Sequence, residues 1–319
     1  MAGQGAGGPS VRANDPTDFI RYSPIIDRPT IAWPGGARVA LWFALNVEVY
    51  EFLPPRNRYS SIYRPDVSLP DVPTYAMLEY GNRVGFWRTL EMWDRRNLPM
   101  SVSLNLAMFK HYPEITREIL ARNWDIFSHG LYNTRFLYGM REEEERRWID
   151  ENVSTMFEHT GKPLRGMFGP CMSLTENSMN LLAEAGLTYV VDWFMDDQPF
   201  PLTAGAGLVD VPYSFDINDG LVMGDMPGRG GKWEADEFLF MCKSQFDTLY
   251  REGAQSGRVM CVALHPFVIG HPARIGALES FLEYVQSHDG VWYTTAGEIA
   301  TYYREHYYDQ ALAWQIGAP

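Results

Sequence analysis

The sequence predicts an α/β fold, an irregular (β/α) barrel of about seven parallel strands. Apolar strand-like segments alternate with amphipathic helical segments, and this alternation is typical of a parallel sheet with helical crossovers. Polar residues follow several strands directly, as expected where strand ends meet at one mouth of a barrel. A doubly wound open sheet is the alternative, but no GxGxxG or phosphate-binding loop supports it.

The spacing of apolar residues places each element. Residues 38–46 are apolar on both faces, as in a strand buried within a parallel sheet. Residues 53–74, rich in Pro and Tyr, are predicted to form an ordered loop. The predicted strands span 38–46, 100–107, 124–127, 166–168, 189–193, 209–214, 259–264 and 291–294. The predicted helices span 83–96, 111–122, 142–159 and 273–287, with one opened by 173–176 and one at the C-terminus.

Composition and charge restrict the class of protein. The 319 residues suit a single barrel domain, assigned to 31–319, after an N-terminal tail and arm, 1–30. A net charge of −13 argues against nucleic acid and anionic membranes as partners. The Gly-rich residues 1–9 lack a signal-peptide pattern, no apolar run reaches roughly 18 residues, and three scattered cysteines suit a reducing compartment. We therefore expect a cytoplasmic protein.

Groups capable of acid, base or metal chemistry follow four predicted strands. Each group alone is a weak signal, but their common position after strands strengthens it. They are Asn46 with Glu48, the run from Ser128 and His129 to Asn133, Asp192 with Asp196 and Asp197, and His265 with Pro266.

These motifs resemble the polysaccharide deacetylase family, in particular its allantoinase-like and cyclic-imide-hydrolase-like branch. The resemblance covers residues 32–306 and depends on FALNVEVYEF, SHGLYN and the segment that begins with LHPFVIGHP. It implies an enzyme that hydrolyses carbon–nitrogen bonds. The family pattern has a base Asp, a metal-binding Asp and a His-x-x-x-His pair; here Asn46, Glu48, His129 and Asn133 occupy those positions.

The resemblance implies that Glu48, His129 and His265 are catalytic, with His265 as general acid. Asp192 is a candidate to orient the catalytic histidine. We expect further residues near the strand ends to bind the substrate: Asn46, Tyr132, Pro170, Trp193 and His271.

Two mechanisms remain open. In one, Glu48, His129 and Asn133 hold a divalent metal, zinc being the best candidate, which acidifies a water. In the other no metal is essential, Glu48 is the general base, and a histidine stabilises the oxyanion or protonates the departing nitrogen. An amide oxygen is a poorer zinc ligand than imidazole, so the Asn133 replacement makes the choice uncertain.

The expected substrate is a small cyclic amide such as an imide, a hydantoin or allantoin. The aromatic stretch 51–80 follows Glu48 and could cover the mouth of the barrel. The alternatives are a metal-dependent carbohydrate N-deacetylase and a catalytically decayed binding member. The branch resemblance further implies a homo-oligomer, a tetramer or dimer, and the aromatic C-terminus, with tyrosines 302, 303, 307 and 308 and Trp314, is compatible with an interface.

Overall fold

The predicted (β/α) barrel is confirmed, and the described residues form nine strands in one mostly parallel sheet. The computed structural model describes residues 19–55, 68–205, 207–223 and 234–315. The strands are β1 (Val39–Val47), β2 (Ser101–Leu104), β3 (Asp125–Ser128), β4 (Gly166–Met167), β5 (Tyr189–Val190), β6 (Phe200–Pro201), β7 (Val209–Asp210), β8 (Arg258–Leu264) and β9 (Val291–Tyr293).

The order of strands in the sheet places β1 near its centre. The path runs β6-β7-β5-β4-β3-β2-β1-β8, and β9 pairs with the first residues of β1. The pair β6 and β7 is antiparallel, and the other pairs within the described residues are parallel. The carboxyl ends of the parallel strands therefore share one edge, which becomes the mouth.

Eleven α-helices lie within the described residues, and several short 3₁₀ turns and a π-helix at Gly81–Gly85 accompany them. The α-helices are α1 (Val72–Tyr80), α2 (Phe86–Asp94), α3 (Met108–His111), α4 (Pro113–Ala121), α5 (Glu142–Thr160), α6 (Ser178–Glu184), α7 (Asp219–Val222), α8 (Ala235–Glu252), α9 (Ile275–Gln286), α10 (Ala296–His306) and α11 (Tyr308–Gln315).

The side chains of β1 divide between two layers. Odd-numbered Phe43 packs edge-on against Trp93 of α2, with ring centroids 4.8 Å apart, in the layer between sheet and helices. Trp42, an even-numbered residue, packs against Phe127 of β3, with ring centroids 6.2 Å apart. Both belong to a second cluster of buried side chains, to which several strands contribute. Because side chains alternate along a strand, Asn46 and Glu48 continue the even-numbered series toward the mouth.

Three expectations about elements need correction. The predicted loop 53–74 is wrong at its end, because Asp71 accepts the Thr74 N–H and caps α1; residues 56–67 lie outside the described part. The helix predicted to open at 173 starts at Ser178, since the Thr175 and Ser178 hydroxyls donate instead to the buried carboxylate of Glu145. Helix α8 was not predicted at all.

Candidate active site

The ends of four strands deliver polar side chains to one small cavity at the mouth of the barrel. Its volume is about 50 Å³. The residues that line it and can take part in chemistry are Asn46, Glu48, His129, Asn133, Tyr213, Asn218 and His265. Predicted residues after β1, β3 and β8 are thus brought together by the parallel strands.

Glu48 lies at the centre of this group, and its side chain is 3% exposed. Tyr50 donates its hydroxyl to Oε2, and Asn133 donates Nδ2–H to Oε1 at 2.8 Å. Burial alone raises the pKa of this carboxyl, but hydrogen bonding from His129, the positive charge of His265 and the Tyr50 hydroxyl outweigh it and lower the pKa. Glu48 is therefore an ionised carboxylate near neutral pH.

A backbone carbonyl fixes the orientation of the His129 ring. Its Nδ1 lies 3.0 Å from the carbonyl oxygen of Phe168, which can only accept, so Nδ1 carries a proton. The ring also stacks on Phe168 at 4.7 Å between centroids. Its Nε2 consequently points toward Glu48 Oε1, at 3.4 Å.

His265 is paired with Asp219, which is fully buried. Its Nδ1 lies 2.6 Å from Asp219 Oδ1, and the other oxygen of Asp219 accepts the backbone N–H groups of His265 and Ile269. Burial lowers the pKa of His265, but the charge and hydrogen bond of Asp219 outweigh it and raise the pKa. The Nε2 atom, 3.9 Å from Glu48 Oε1, is thus placed as a proton donor.

Asp219 is therefore the carboxylate that orients His265. The expectation that Asp192 would orient the catalytic histidine is wrong. Asp192 Oδ1 accepts the Gly169 N–H at 2.8 Å, and no contact joins Asp192 to either site histidine. Asp219 follows Asn218, whose side chain caps the short helix α7. An Asn-Asp-Gly turn in the segment FDINDG was the available signal, but spacing alone did not distinguish it from an ordinary turn.

Tyr213 is a second residue that sequence reasoning missed. Its hydroxyl oxygen accepts Nδ2–H from Asn46 at 3.1 Å and from Asn218 at 3.3 Å. Burial raises the pKa of this phenol well above its usual value. Because both acceptor positions of the oxygen are filled and no acceptor for its proton is found in the described residues, the O–H is left to point into the cavity.

Four residues expected to bind substrate are absent from the cavity lining formed by the described residues. Tyr132 bonds to His111 at 3.0 Å, and His271 stacks on Tyr80 at 4.0 Å. Trp193 donates its backbone N–H to Asp210, and Pro170 is buried beside Gly130. Their expected roles in binding stay predictions. Asp196, from the predicted acidic cluster, pairs with Arg28 instead.

The donor set fits a divalent metal poorly. Asn133 turns its NH₂ group toward Glu48 Oε1, so its amide oxygen cannot bind a metal ion together with Oε1. Asp219 raises the pKa of His265, which favours a proton over a metal ion on Nε2. Glu48 and His129 then remain as ligands, whereas catalytic zinc sites use three. Within residues 19–55, 68–205, 207–223 and 234–315, no group of three or more His, Cys, Asp or Glu is arranged to hold a metal ion.

Comparison with known proteins agrees with this fold. The profile of the polysaccharide deacetylase family matches residues 70–190. The solved structure of Puue allantoinase superposes with a TM-score of 0.76 at 30% identity, covering 88% of this chain and 95% of that one. The chain belongs to the polysaccharide deacetylase family and is a hydrolase of that type.

Two curated relatives complete the comparison. A protein of Schizosaccharomyces pombe named "Putative polysaccharide deacetylase" is 26% identical over 302 residues, 85% of this chain and 92% of its own length. The peptidoglycan deacetylase of Helicobacter pylori is 22% identical over 249 residues, 69% of this chain and 84% of its own length. Among the described residues, no helix is both long and apolar enough to span a membrane.

Proposed function

We propose that this chain opens a small cyclic amide, such as an imide, a hydantoin or allantoin, by hydrolysing a ring C–N bond to give a carboxylate. The observation that carries the proposal is that Glu48, whose pKa is lowered, and His265, whose pKa is raised, face each other at 3.9 Å in one small, buried cavity. Ring opening needs a base for water and an acid for nitrogen, and this pair supplies both. Similarity to an allantoinase supports the same substrate class.

The first step is addition of water to the ring carbonyl. Glu48 takes a proton from the water while the water oxygen bonds to the carbonyl carbon. His129, whose ring is held by the Phe168 carbonyl and whose Nε2 lies 3.4 Å from Glu48 Oε1, orients the attacking water beside the base. The Tyr213 hydroxyl donates to the oxyanion that forms, and its raised pKa keeps it protonated throughout.

The second step breaks the C–N bond. The electron pair of that bond goes to nitrogen, which takes the proton from His265 Nε2. Glu48 then holds a proton and His265 lacks one, and their facing atoms lie 3.9 Å apart. A short proton transfer between them restores the starting state, so the net change is addition of one water.

This mechanism needs no metal and uses Glu48 as the base and His265 as the acid, as predicted from the sequence, whereas the oxyanion is assigned to Tyr213 and His129 orients the water. Orientation of the Asn133 amide toward Glu48 supports it, because the amide then fixes the base instead of acting as a ligand. A metal-dependent N-deacetylase is the second candidate, favoured by the deacetylase relatives.

We also propose that the chain forms a homo-oligomer, a tetramer or dimer, and acts in the cytoplasm. Exposed apolar side chains support assembly: Tyr22 is 88%, Ile26 83% and Met195 54% exposed. The C-terminal tyrosines contribute less, since Tyr302 and Tyr307 bond within the chain to Ala32. None of the three cysteines forms a disulfide, as suits a reducing compartment. Light scattering on the purified protein measures the assembly.

The test is carboxylate formation from succinimide, hydantoin and allantoin, with metal-stripped and zinc-reconstituted protein. We expect ring opening of at least one of them by the stripped protein, unchanged by zinc. Acetate release from N-acetylglucosamine oligomers, with no ring opening, would instead support the deacetylase. Ring opening that appears only with zinc would keep the substrate class and overturn the metal-free mechanism.

A further inference from the structure

The peptide unit that joins Glu48 to Val49 lies just beyond the end of β1, and two side-chain amides hold it. The carbonyl oxygen of Glu48 accepts Nδ2–H from Asn82 at 3.1 Å. The N–H of Val49 donates to Oδ1 of Asn105 at 2.8 Å. Because a peptide unit is planar, it cannot turn without breaking at least one of these bonds. The two amides therefore fix the backbone here, as strand pairing fixes β1 up to Val47.

Asn82 reaches Glu48 from the π-helix Gly81–Gly85 and is 7% exposed. Its Nδ2 also lies 3.3 Å from Glu79 Oε2 in α1. Both neighbours are oxygens that accept, so the NH₂ group of Asn82 is the end that faces them. The last residue of the same π-helix packs against the carbonyl of Pro266, next to the proposed acid. One short helix, of a kind often found at functional sites, thus contacts the chain beside both the base and the acid.

Asn105 follows β2 directly and is fully buried. Its Nδ2 donates to the backbone carbonyl of His129, and because that oxygen only accepts, Oδ1 is the end that faces Val49. The side chain thus ties the peptide unit after Glu48 to the backbone of His129. Neither Asn82 nor Asn105 belongs to the cavity lining that the described residues form. Any effect of the two amides on catalysis therefore goes through the residues that they hold, not through contact with the substrate.

We propose that Asn82 and Asn105 are positioning residues, which lock the peptide unit after Glu48 and so hold its carboxylate at its distances from the two site histidines. Glu48 Oε1 lies 3.4 Å from His129 Nε2 and 3.9 Å from His265 Nε2. Release of the peptide unit frees ψ of Glu48, and with it the direction in which the side chain leaves the backbone. A catalytic group must stay within about 0.5 Å of its productive position. This inference deepens the proposed function and rests on it for the role of Glu48 as base, but the geometry of variants tests it separately.

The kinetics of Asn82→Ala separate positioning from ordinary stabilisation. The variant loses the donor to the Glu48 carbonyl but keeps the cavity lining, so we expect kcat for hydantoin to fall about tenfold or more, with little change in KM. The control Gln198→Ala also removes a buried amide that donates to a backbone carbonyl, that of Gly257 at 2.9 Å, before the start of β8 and so at the end of the barrel opposite the mouth. It should lower the thermal midpoint, as Asn82→Ala does, and keep the wild-type kcat. Equal kcat losses in both variants, or an unchanged kcat in Asn82→Ala, would overturn the proposal.

A double variant tests whether the two amides act on one peptide unit. Asn82→Ala combined with Asn105→Ala should lose less in kcat than the product of the two single losses, because a unit released by one change gains little further freedom from the second. Losses that multiply would mean two independent disturbances and would overturn the proposal. If Asn105→Ala does not fold, Asn82→Ala and the structures of the variants decide the matter.

Crystal structures of the wild type, Asn82→Ala and Gln198→Ala test the inference without turnover. In Asn82→Ala we expect the distance from Glu48 Oε1 to Nε2 of His129 or of His265 to change by about 0.5 Å or more, whereas in the control both distances should match wild type. A Glu48 carboxylate that stays in place in Asn82→Ala would overturn the inference, even if ring opening by the wild type supports the proposed function. A displaced carboxylate in a protein whose wild type opens no ring would retain the inference and reject the proposed function.

Discussion

Glu48 and His265 have opposite pKa shifts, and each shift has a specific residue behind it. For Glu48, hydrogen bonding from His129 and Tyr50 and the charge of His265 outweigh burial. For His265, Asp219 outweighs burial. The account requires Glu48 deprotonated and His265 protonated, so kcat/KM should be bell-shaped in pH. Its acid limb should lie below the ordinary Glu value of 4.5, and its alkaline limb above the ordinary His value of 6.5.

Asp219→Asn should move the alkaline limb of kcat/KM to lower pH. The amide keeps an acceptor for His265 Nδ1–H but loses the largest charge that raises the pKa of His265, so burial then lowers that pKa against the charge of Glu48 alone. We expect a shift of about one pH unit or more. The acid limb, which reports Glu48, is the internal control. An alkaline limb that stays in place would show that Asp219 does not raise the pKa of His265.

Tyr213→Phe should lower kcat by a factor on the order of 10², with little change in KM. An oxyanion exists only after water has added, so a donor to it stabilises the transition state more than the bound substrate. Tyr189→Phe is the matched control, since its hydroxyl is also buried but the residue lies outside the cavity lining. A rise in KM with unchanged kcat would assign Tyr213 to binding instead.

At the scale of elements, the position of His265 depends on how closely the start of α2 approaches the turn after β8. A Cβ on Gly85 would lie 1.9 Å from the carbonyl oxygen of Pro266, which is backbone and cannot move cheaply. This contact fixes the residue directly after His265. The packing of a helix thereby positions His265, the proposed general acid.

Gly85→Ala should therefore damage both stability and activity. We expect the free energy of unfolding to fall by about 1–3 kcal/mol and kcat/KM to fall about tenfold or more, because small displacements of an acid are costly. Gly276→Ala in α9 is the matched control: no atom lies within 4 Å of its Cβ, so it should gain about 0.5–1 kcal/mol. Denaturant unfolding and steady-state kinetics measure both; equal behaviour of the two variants would contradict the argument.

The sequence predicted the parallel elements well because burial and periodicity mark them directly. The strand 38–46 differs from β1 by one residue at each end, and helix 142–159 ends at the predicted Gly161, whose φ of 67° suits only glycine well. Helix α8 could have been found from Phe238, Cys242, Phe246 and Leu249, which are buried at helical spacing.

The site was only partly predictable from sequence. Glu48, His129 and His265 follow strands and were identified, since strand ends converge in a barrel. Asp219 and Tyr213 lie in the connection between β7 and α8, which has no strand of its own to mark them. Their roles depend on hydrogen bonds to residues 46 and 265, and such long-range pairing leaves no local pattern.

At the scale of the whole molecule, the fold keeps Asp192 buried, and its Oδ2 has no hydrogen-bond partner among the described residues. This carboxyl should make the free energy of unfolding depend on pH. Burial raises its pKa to about 7. The folded state thus holds a proton that the unfolded state releases at the ordinary value of 3.8, so the free energy of unfolding falls as pH rises between these values.

Asp192→Asn should remove that pH dependence. The difference in the free energy of unfolding, variant minus wild type, should increase by about 1 kcal/mol per pH unit from roughly pH 4 to 7. Denaturant unfolding across that range measures it. Asp150→Asn, at an exposed position of α5, is the control and should follow wild type. A variant parallel to wild type at all pH values would mean that Asp192 is ionised in the folded protein.

The central claim is that Glu48 is the general base of a ring-opening hydrolase, and one measurement tests it most directly. The rate of carboxylate formation from hydantoin is compared between wild type, Glu48→Gln and the exposed control Glu184→Gln, with folding checked by circular dichroism. We predict that Glu48→Gln folds and loses a factor on the order of 10² or more in kcat, while the control matches wild type. A folded Glu48→Gln that opens the ring at close to the wild-type rate would contradict the account.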